Sequence, residues 1–141
     1  MLTAACCCIW VISNILAVEV GPEAAYISVQ SGMRLARLCG SAIQAFPGGE
    51  FTIAGGTCPA VGVTGHVLCG GFGYFGREIG MASGQLVEVQ YTNAAGGLLV
   101  SNATTYSDTS WAMRCHSGTY AVTHLALLGI DGNHYLKPPK K

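Results

Sequence analysis

The sequence is short of charge. Only 10% of its 141 residues are Asp, Glu, Lys or Arg, and seven basic residues balance seven acidic ones. An average soluble domain carries about 25%. With no positive excess, the chain lacks the electrostatic footprint of a nucleic-acid binder. It also lacks the high net charge and low hydrophobicity of a disordered segment, since half of its residues are hydrophobic. Its 20 glycines follow no three-residue period, which excludes collagen. Seven cysteines (Cys6, Cys7, Cys8, Cys39, Cys58, Cys69 and Cys115) include no C-x-x-C pair, so a structural metal has no support from spacing. Their odd number prevents complete pairing within one chain. No internal repeat is present. The uncharged stretch from Met1 to Ala17 is interrupted by Ser13 and Asn14 and falls short of the roughly 18 apolar residues of a membrane span. It lacks the basic n-region of a secretory signal and reads as a buried strand. The length suits one domain. A surface this poor in charge is expected to meet another domain or a large cofactor.

What is present begins with periodicity. Ala25 to Gln30 alternates apolar and polar residues, as a strand does. Leu35, Leu38, Cys39, Ala42, Ile43 and Phe46 recur at steps of three and four and predict one apolar helix face. Arg34, Arg37, Ser41 and Gln44 then face water, and Pro47-Gly48-Gly49 stops the helix. From Gly55 to Gly84 the character changes: ten of thirty positions are Gly. Glycine weakens helix and strand alike, so no ordinary amphipathic element is expected there. Such a stretch makes sense where backbone must approach something closely. Gln85 to Tyr91 predicts a strand with Val87, Val89 and Tyr91 on one face and Glu88 and Gln90 on the other. Asn93 to Gly97 reads as a turn and Leu98 to Ser101 as the returning hairpin strand. Asp108 is the expected N-cap of a short helix ending near Arg114. Tyr120 to Leu128 reads as a last strand. Residues 131–141 form a basic tail, expected to be disordered.

Gly71-Phe72-Gly73-Tyr74-Phe75-Gly76 fits G-x-G-x-x-G, but a dinucleotide fold then needs a parallel crossover of a dozen or more residues. Only Arg77 to Gly84 separates the motif from the next strand, which argues against a Rossmann site. A longer pattern is more specific. Gly55-Gly56-Thr57-Cys58-Pro59-Ala60-Val61-Gly62-Val63-Thr64-Gly65-His66 is followed by Cys69-Gly70-Gly71-Phe72-Gly73 and Arg77-Glu78-Ile79-Gly80-Met81. Together these segments resemble FAD-linked oxidases of the berberine bridge enzyme type, flavoproteins with a PCMH (vanillyl-alcohol-oxidase-type) FAD domain. Ser28-Val29-Gln30-Ser31-Gly32-Met33-Arg34-Leu35 upstream is similar to the family's strand–glycine–helix passage. Gln85 to Val89, Asn93 to Gly96, Asp108 to Arg114 and Tyr120 to Thr123 are similar to its later strands and helix. The similarity runs over roughly residues 11 to 128.

The resemblance implies an α+β lobe, a mostly antiparallel sheet flanked by helices, with residues 1–130 as part of a PCMH-type FAD domain. It implies FAD as cofactor and partner, and hydride transfer from a small-molecule substrate to the flavin. Cys58 stands where members that bind flavin twice attach carbon 6 of the ring. Gly56, Thr57, Val61, Gly62, Gly65, His66, Gly70 and Gly71 would border the cofactor, and Gly118, Tyr120 and Val122 would lie where the last strand meets it. Departures are visible too. The family's upstream "SGGH" segment, with its pyrophosphate glycines and second flavin-bonding histidine, has no counterpart here, nor has the substrate domain, so no catalytic residue is assigned. Cys69 replaces a family glycine, and Gly84 an aspartate. A non-catalytic remnant is the alternative reading, and a cysteine hydrolase using Cys58 or Cys115 with a histidine is a remote one. An isolated lobe would expose apolar surface and is expected to self-associate. Although the family is often secreted, the amino end shows no signal peptide, so no compartment is assigned.

Overall fold

The computed structural model describes residues 15–20 (backbone alone), 25–47, 52–114 and 120–129. Among the described residues there are five strands: β1 Ile15–Val20, β2 Ala25–Gln30, β3 Leu86–Thr92, β4 Leu98–Asn102 and β5 Ala121–Gly129. They form one sheet in the order β1-β2-β5-β3-β4, with every pairing antiparallel. Between β2 and β3 the chain leaves the sheet and builds helices α1 (Leu35–Ala45), α2 (Val63–Leu68) and α3 (Gly76–Ile79), then a 3₁₀ turn at Ala82–Gln85. Helix α4 (Ser107–Met113) joins β4 to β5. This is the α+β architecture expected from the sequence. With no parallel pair in the sheet, the G-x-G-x-x-G match has no Rossmann setting.

Strand β2 carries the expected alternation, with Ala25, Ile27 and Val29 buried. In β3 the alternation slips. Leu86 pairs with Leu127 and Glu88 with Ala126, so Val87 is an extra residue in a bulge. The bulge puts Leu86 and Val89, three positions apart, on the buried face and leaves Val87 37% exposed. That corrects the expectation that Val87 shares a face with Val89 and Tyr91. A second bulge sits at Thr123 of β5, between the pairs Gln90–His124 and Tyr91–Val122, and makes Val122 and Leu125 the buried residues there.

Helix α1 buries Leu35, Leu38 and Ala42, with Phe46 just beyond its end. Cys39 is half-buried, and Ile43 is 70% exposed. The apolar stripe is therefore narrower than predicted, and Ile43 lies outside the core. The helix stops at Ala45, where the Phe46 N–H donates to the Ala42 carbonyl at 2.8 Å. Gly48 and Gly49 lie outside the described residues.

The glycine-rich segment is more ordered than its composition suggests. In α2, Val63, Val67 and Leu68 are all buried, and Val63 and Val67 stand one turn apart. Ile79 of α3 and Ala82 join the same core. Three well-placed apolar residues thus outweigh one glycine in a short helix that tertiary packing supports. Asp108 does not cap α4; that position belongs to Tyr106, at φ 50° and ψ 49°, and Asp108 lies in the first turn. The hairpin turn is as predicted. Asn93 Oδ1 accepts from the N–H groups of Ala95 (3.0 Å) and Gly97 (2.8 Å), and Gly96 takes φ +83°. Among the described residues no helix is long and apolar enough to cross a membrane. Of the buried strand expected within Met1 to Ala17, only residues 15–17 are described, as the start of β1; residues 1–14 and the basic tail lie outside the description.

Candidate functional site

The site is built from two loops and a short helix. The first loop, Cys58 to Gly62, is tied to the start of α1. The N–H groups of Leu35 and Ala36 donate to the carbonyls of Val61 (2.9 Å) and Pro59 (3.1 Å), and Val63 N–H donates to Met33 O at 2.8 Å. First-turn helix donors need outside partners, and this loop supplies them in place of a side-chain cap. Cys58 is held exposed at the head of the loop.

The second loop, Gly70 to Tyr74, packs against residues 53–56. At Gly73 an added Cβ would lie 2.1 Å from the Gly55 carbonyl oxygen, so only glycine fits. Gly70 and Gly71 take φ +96° and +64°. Their carbonyls accept from Ser83 N–H (2.9 Å) and Ala82 N–H (2.7 Å). Gln85, 3% exposed, reaches between the layers. Its Oε1 accepts from Ala54 N–H at 2.8 Å, and its Nε2 donates to Thr52 O at 3.0 Å.

His66 lies on α2, half-buried between the loops. Its Nε2 donates to the Ala54 carbonyl at 2.7 Å. A carbonyl only accepts, so in the neutral ring Nδ1 is left as the acceptor. The ring edge fills the space beside Gly56, where a Cβ would come within 3.3 Å of Cε1.

These pieces border an open cavity of about 400 Å³ lined by Gly56, Thr57, Cys58, Val61, His66 and Gly71 from the sequence-predicted set. Leu35, Cys69, Phe72, Gly73 and Tyr74 complete it. Gly62 and Gly65 instead line a neighbouring cavity of about 250 Å³. Gly70 borders neither of these two. Tyr120 and Val122 stand at the start of β5, where Tyr120 meets the Tyr91 ring edge-on (centroids 5.3 Å apart) and Val122 is buried, and neither lines the two cavities. Gly118 lies outside the described residues, as do Cys115 and His116. Sequence reasoning missed Gln85, read only as a strand start, and the aromatic pair Phe72 and Tyr74, whose signal was their place between glycines. Phe72 and Tyr74 are 78% and 84% exposed, beside Phe75 at 56%. Among the described residues no cluster of three His, Cys, Asp or Glu side chains is placed to hold a metal. Burial pushes the Cys39 thiol up from its ordinary value.

Fold and site together define a lobe that presents a cysteine at a glycine-walled cavity. Comparison with known proteins places that lobe. The chain is 32% identical over 105 residues to a xylooligosaccharide oxidase of Thermothelomyces thermophilus, covering 74% of this chain and 20% of that protein. It is 41% identical over 59 residues to the berberine bridge enzyme-like protein 23 of Arabidopsis thaliana, covering 42% of this chain and 11% of that protein. Its fold matches a glucooligosaccharide oxidase from Acremonium strictum that carries a 6-S-cysteinyl, 8α-N1-histidyl FAD. That match has a TM-score of 0.72 and 26% identity, and covers 86% of this chain and 24% of that one. No family model matches the chain. The chain belongs with the FAD-linked oxidoreductases of the berberine bridge enzyme-like and oligosaccharide oxidase family. It spans about a fifth of the length of the curated relatives it matches.

Proposed function

We infer that this chain binds FAD as part of an FAD-dependent oxidoreductase of the oxidase type, with the cavity around Cys58 receiving the flavin ring. The observation that carries this reading is the placement of an exposed Cys58 at a cavity walled by Gly56, Gly71 and His66. The fit is supported by the glycines themselves. Gly62 and Gly65 need no left-handed backbone, and an added Cβ at either meets nothing within 4 Å. Their lack of a side chain has no use inside the chain and leaves room for a group outside it. Bound FAD supplies a two-electron acceptor for a hydride from a small-molecule substrate.

The chain's own residues then have separate tasks. Cys58, exposed at the cavity, would anchor the flavin through a thioether to carbon 6 of its ring. His66, fixed through Ala54, holds the two loops at a set spacing. Phe72 and Tyr74 offer exposed ring surface along the cavity wall. Left uncovered, the same aromatic surface is where the lobe self-associates. The relatives found, a xylooligosaccharide oxidase and a glucooligosaccharide oxidase among them, lend the cysteine-hydrolase alternative no support.

The test is an absorbance spectrum of the purified chain with added FAD, repeated after acid precipitation. Flavin bands retained in the pellet, and lost in Cys58→Ser, are expected. Bands released to the supernatant would support binding without the covalent bond. A folded protein that retains no flavin would overturn the reading in favour of a non-catalytic remnant.

A further inference from the structure

Asn102-Ala103-Thr104 is the one Asn-x-Ser/Thr tripeptide in the 141 residues, and its middle position is not proline. It starts at the end of β4, and none of its residues lines the cavity around Cys58 or joins the core. Among the described residues β4 is an edge of the sheet, paired with β3 on one side only. Asn102 is half-buried, and every residue from Ala103 to Asp108 is exposed. The loop holds the Asn102 amide in one orientation. Asn102 N–H donates to the Thr105 carbonyl at 2.9 Å. Asn102 Oδ1 accepts from the N–H groups of Thr104 (3.0 Å) and Thr105 (2.8 Å), and the Thr104 hydroxyl donates to the same oxygen at 3.0 Å. A backbone N–H can only donate, so these bonds identify the carbonyl end of the amide and put Nδ2 on the other side. Nδ2 donates to Glu88 Oε2 at 3.3 Å, which engages one of its two hydrogens. The other hydrogen can be replaced without giving up that bond.

We propose that Asn102 is the attachment site of an N-linked oligosaccharide. The donor class is a lipid-pyrophosphate-linked oligosaccharide, and an oligosaccharyltransferase makes the transfer. Asn102 Nδ2 bonds the anomeric carbon of the sugar next to the pyrophosphate, and the carbon–oxygen bond there breaks. The lipid pyrophosphate leaves, one amide proton is released, and nothing is oxidised or reduced. Thr104 supplies the hydroxyl that the transferase requires. The open edge of β4 and the exposed loop leave room for the sugar on the folded lobe. The proposal does not rest on the FAD reading. It takes the chain through the secretory lumen, where the transfer occurs.

The experiment expresses the full chain in yeast behind a cleavable secretory signal, with a second acceptor tripeptide appended after Lys141. Peptide N-glycosidase F leaves Asp where it removes a glycan, so peptide mass spectrometry then reads each site. The appended tripeptide reports entry into the lumen, and only molecules glycosylated there are scored. Most of these should also carry a glycan at Asn102. Thr104→Ala and Ala103→Pro should abolish it, and Thr104→Ser should keep it. Thr104→Ala removes one hydroxyl and leaves both backbone bonds to Asn102 Oδ1, so its thermal melt should stay close to that of the deglycosylated wild type. The proposal is overturned by molecules modified at the appended tripeptide but bare at Asn102, or by Thr104→Ala modified as fully as wild type. It is also overturned if the glycosylated chain shows no cooperative melt while its deglycosylated form does, since the folded lobe would then exclude the glycan.

Discussion

The sheet and the glycine-rich segment solve opposite problems. In β2, β3 and β5 side chains do the packing, and the backbone is occupied by its own ladders. Between Gly55 and Gly84 the backbone does much of the packing, and it does so at two kinds of glycine. Gly70, Gly71 and Gly73 are required within the chain, by positive φ at the first two and by added-Cβ contacts of 2.7, 2.7 and 2.1 Å. Gly62 and Gly65 are not required, since space is open at both. The difference separates glycines that hold the loops together from glycines that leave a cavity wall bare, as Gly62 and Gly65 do.

The sharpest way to break the comparison is at Gly73. Gly73→Ala drives a Cβ into the Gly55 carbonyl, a backbone atom that cannot rotate away. A loss of about 3 kcal/mol or more, in the range of severe packing defects, is expected by urea denaturation. A melt matching wild type would show that the two loops are not so closely joined. Next in size is Gln85→Leu, which strips the partners from Ala54 N–H and Thr52 O. At about 1–3 kcal/mol for each stranded group, about 2–6 kcal/mol should be lost. Because Gln85 also fixes residues 52–54, hydrogen exchange at Ala54 should quicken in the same variant.

Smaller effects are expected on the exposed side. Replacing Phe72 and Tyr74 by Ser should alter stability by no more than about 0.5 kcal/mol, as at other exposed positions. Sedimentation velocity should nevertheless show less self-association than in wild type; equal association would locate the sticky surface elsewhere. The smallest effect concerns Cys39. Burial raises its pKa, so at neutral pH less of it is thiolate. Peptide-resolved iodoacetamide labelling should modify Cys39 more slowly than exposed Cys58 and Cys69, and raising the pH through the elevated Cys39 pKa should speed its labelling.

What the sequence made legible follows the same division. Period-two alternation located β2 to the residue, and Asn93 to Gly97 gave the turn, because both signals are local. The bulges at Val87 and Thr123 were not legible, since an extra residue is defined only by the partner strand it fails to match. Ile43 fitted the helical period but faces solvent, because the spacing of one helix does not say how wide a stripe its neighbours cover. In the site, the cysteine–glycine motif identified most of the cavity wall by resemblance. Gln85 was missed because its partners, Ala54 and Thr52, lie 31 and 33 residues away in the sequence. Local composition also hid α2, which three buried side chains hold in place.

Gly65→Ala tests the central division most directly, with a thermal melt and an FAD titration on the same sample. Alanine is the better helix former by about 1 kcal/mol, and Gly65 lies within α2 with open space at its Cβ, so the melting temperature should rise. If that space is kept for the cofactor, FAD affinity should fall by about tenfold, the equivalent of 1.4 kcal/mol. Stability and affinity moving in opposite directions is the result expected here. An FAD affinity unchanged by the substitution, or a folded wild-type chain that takes up no FAD, would contradict it.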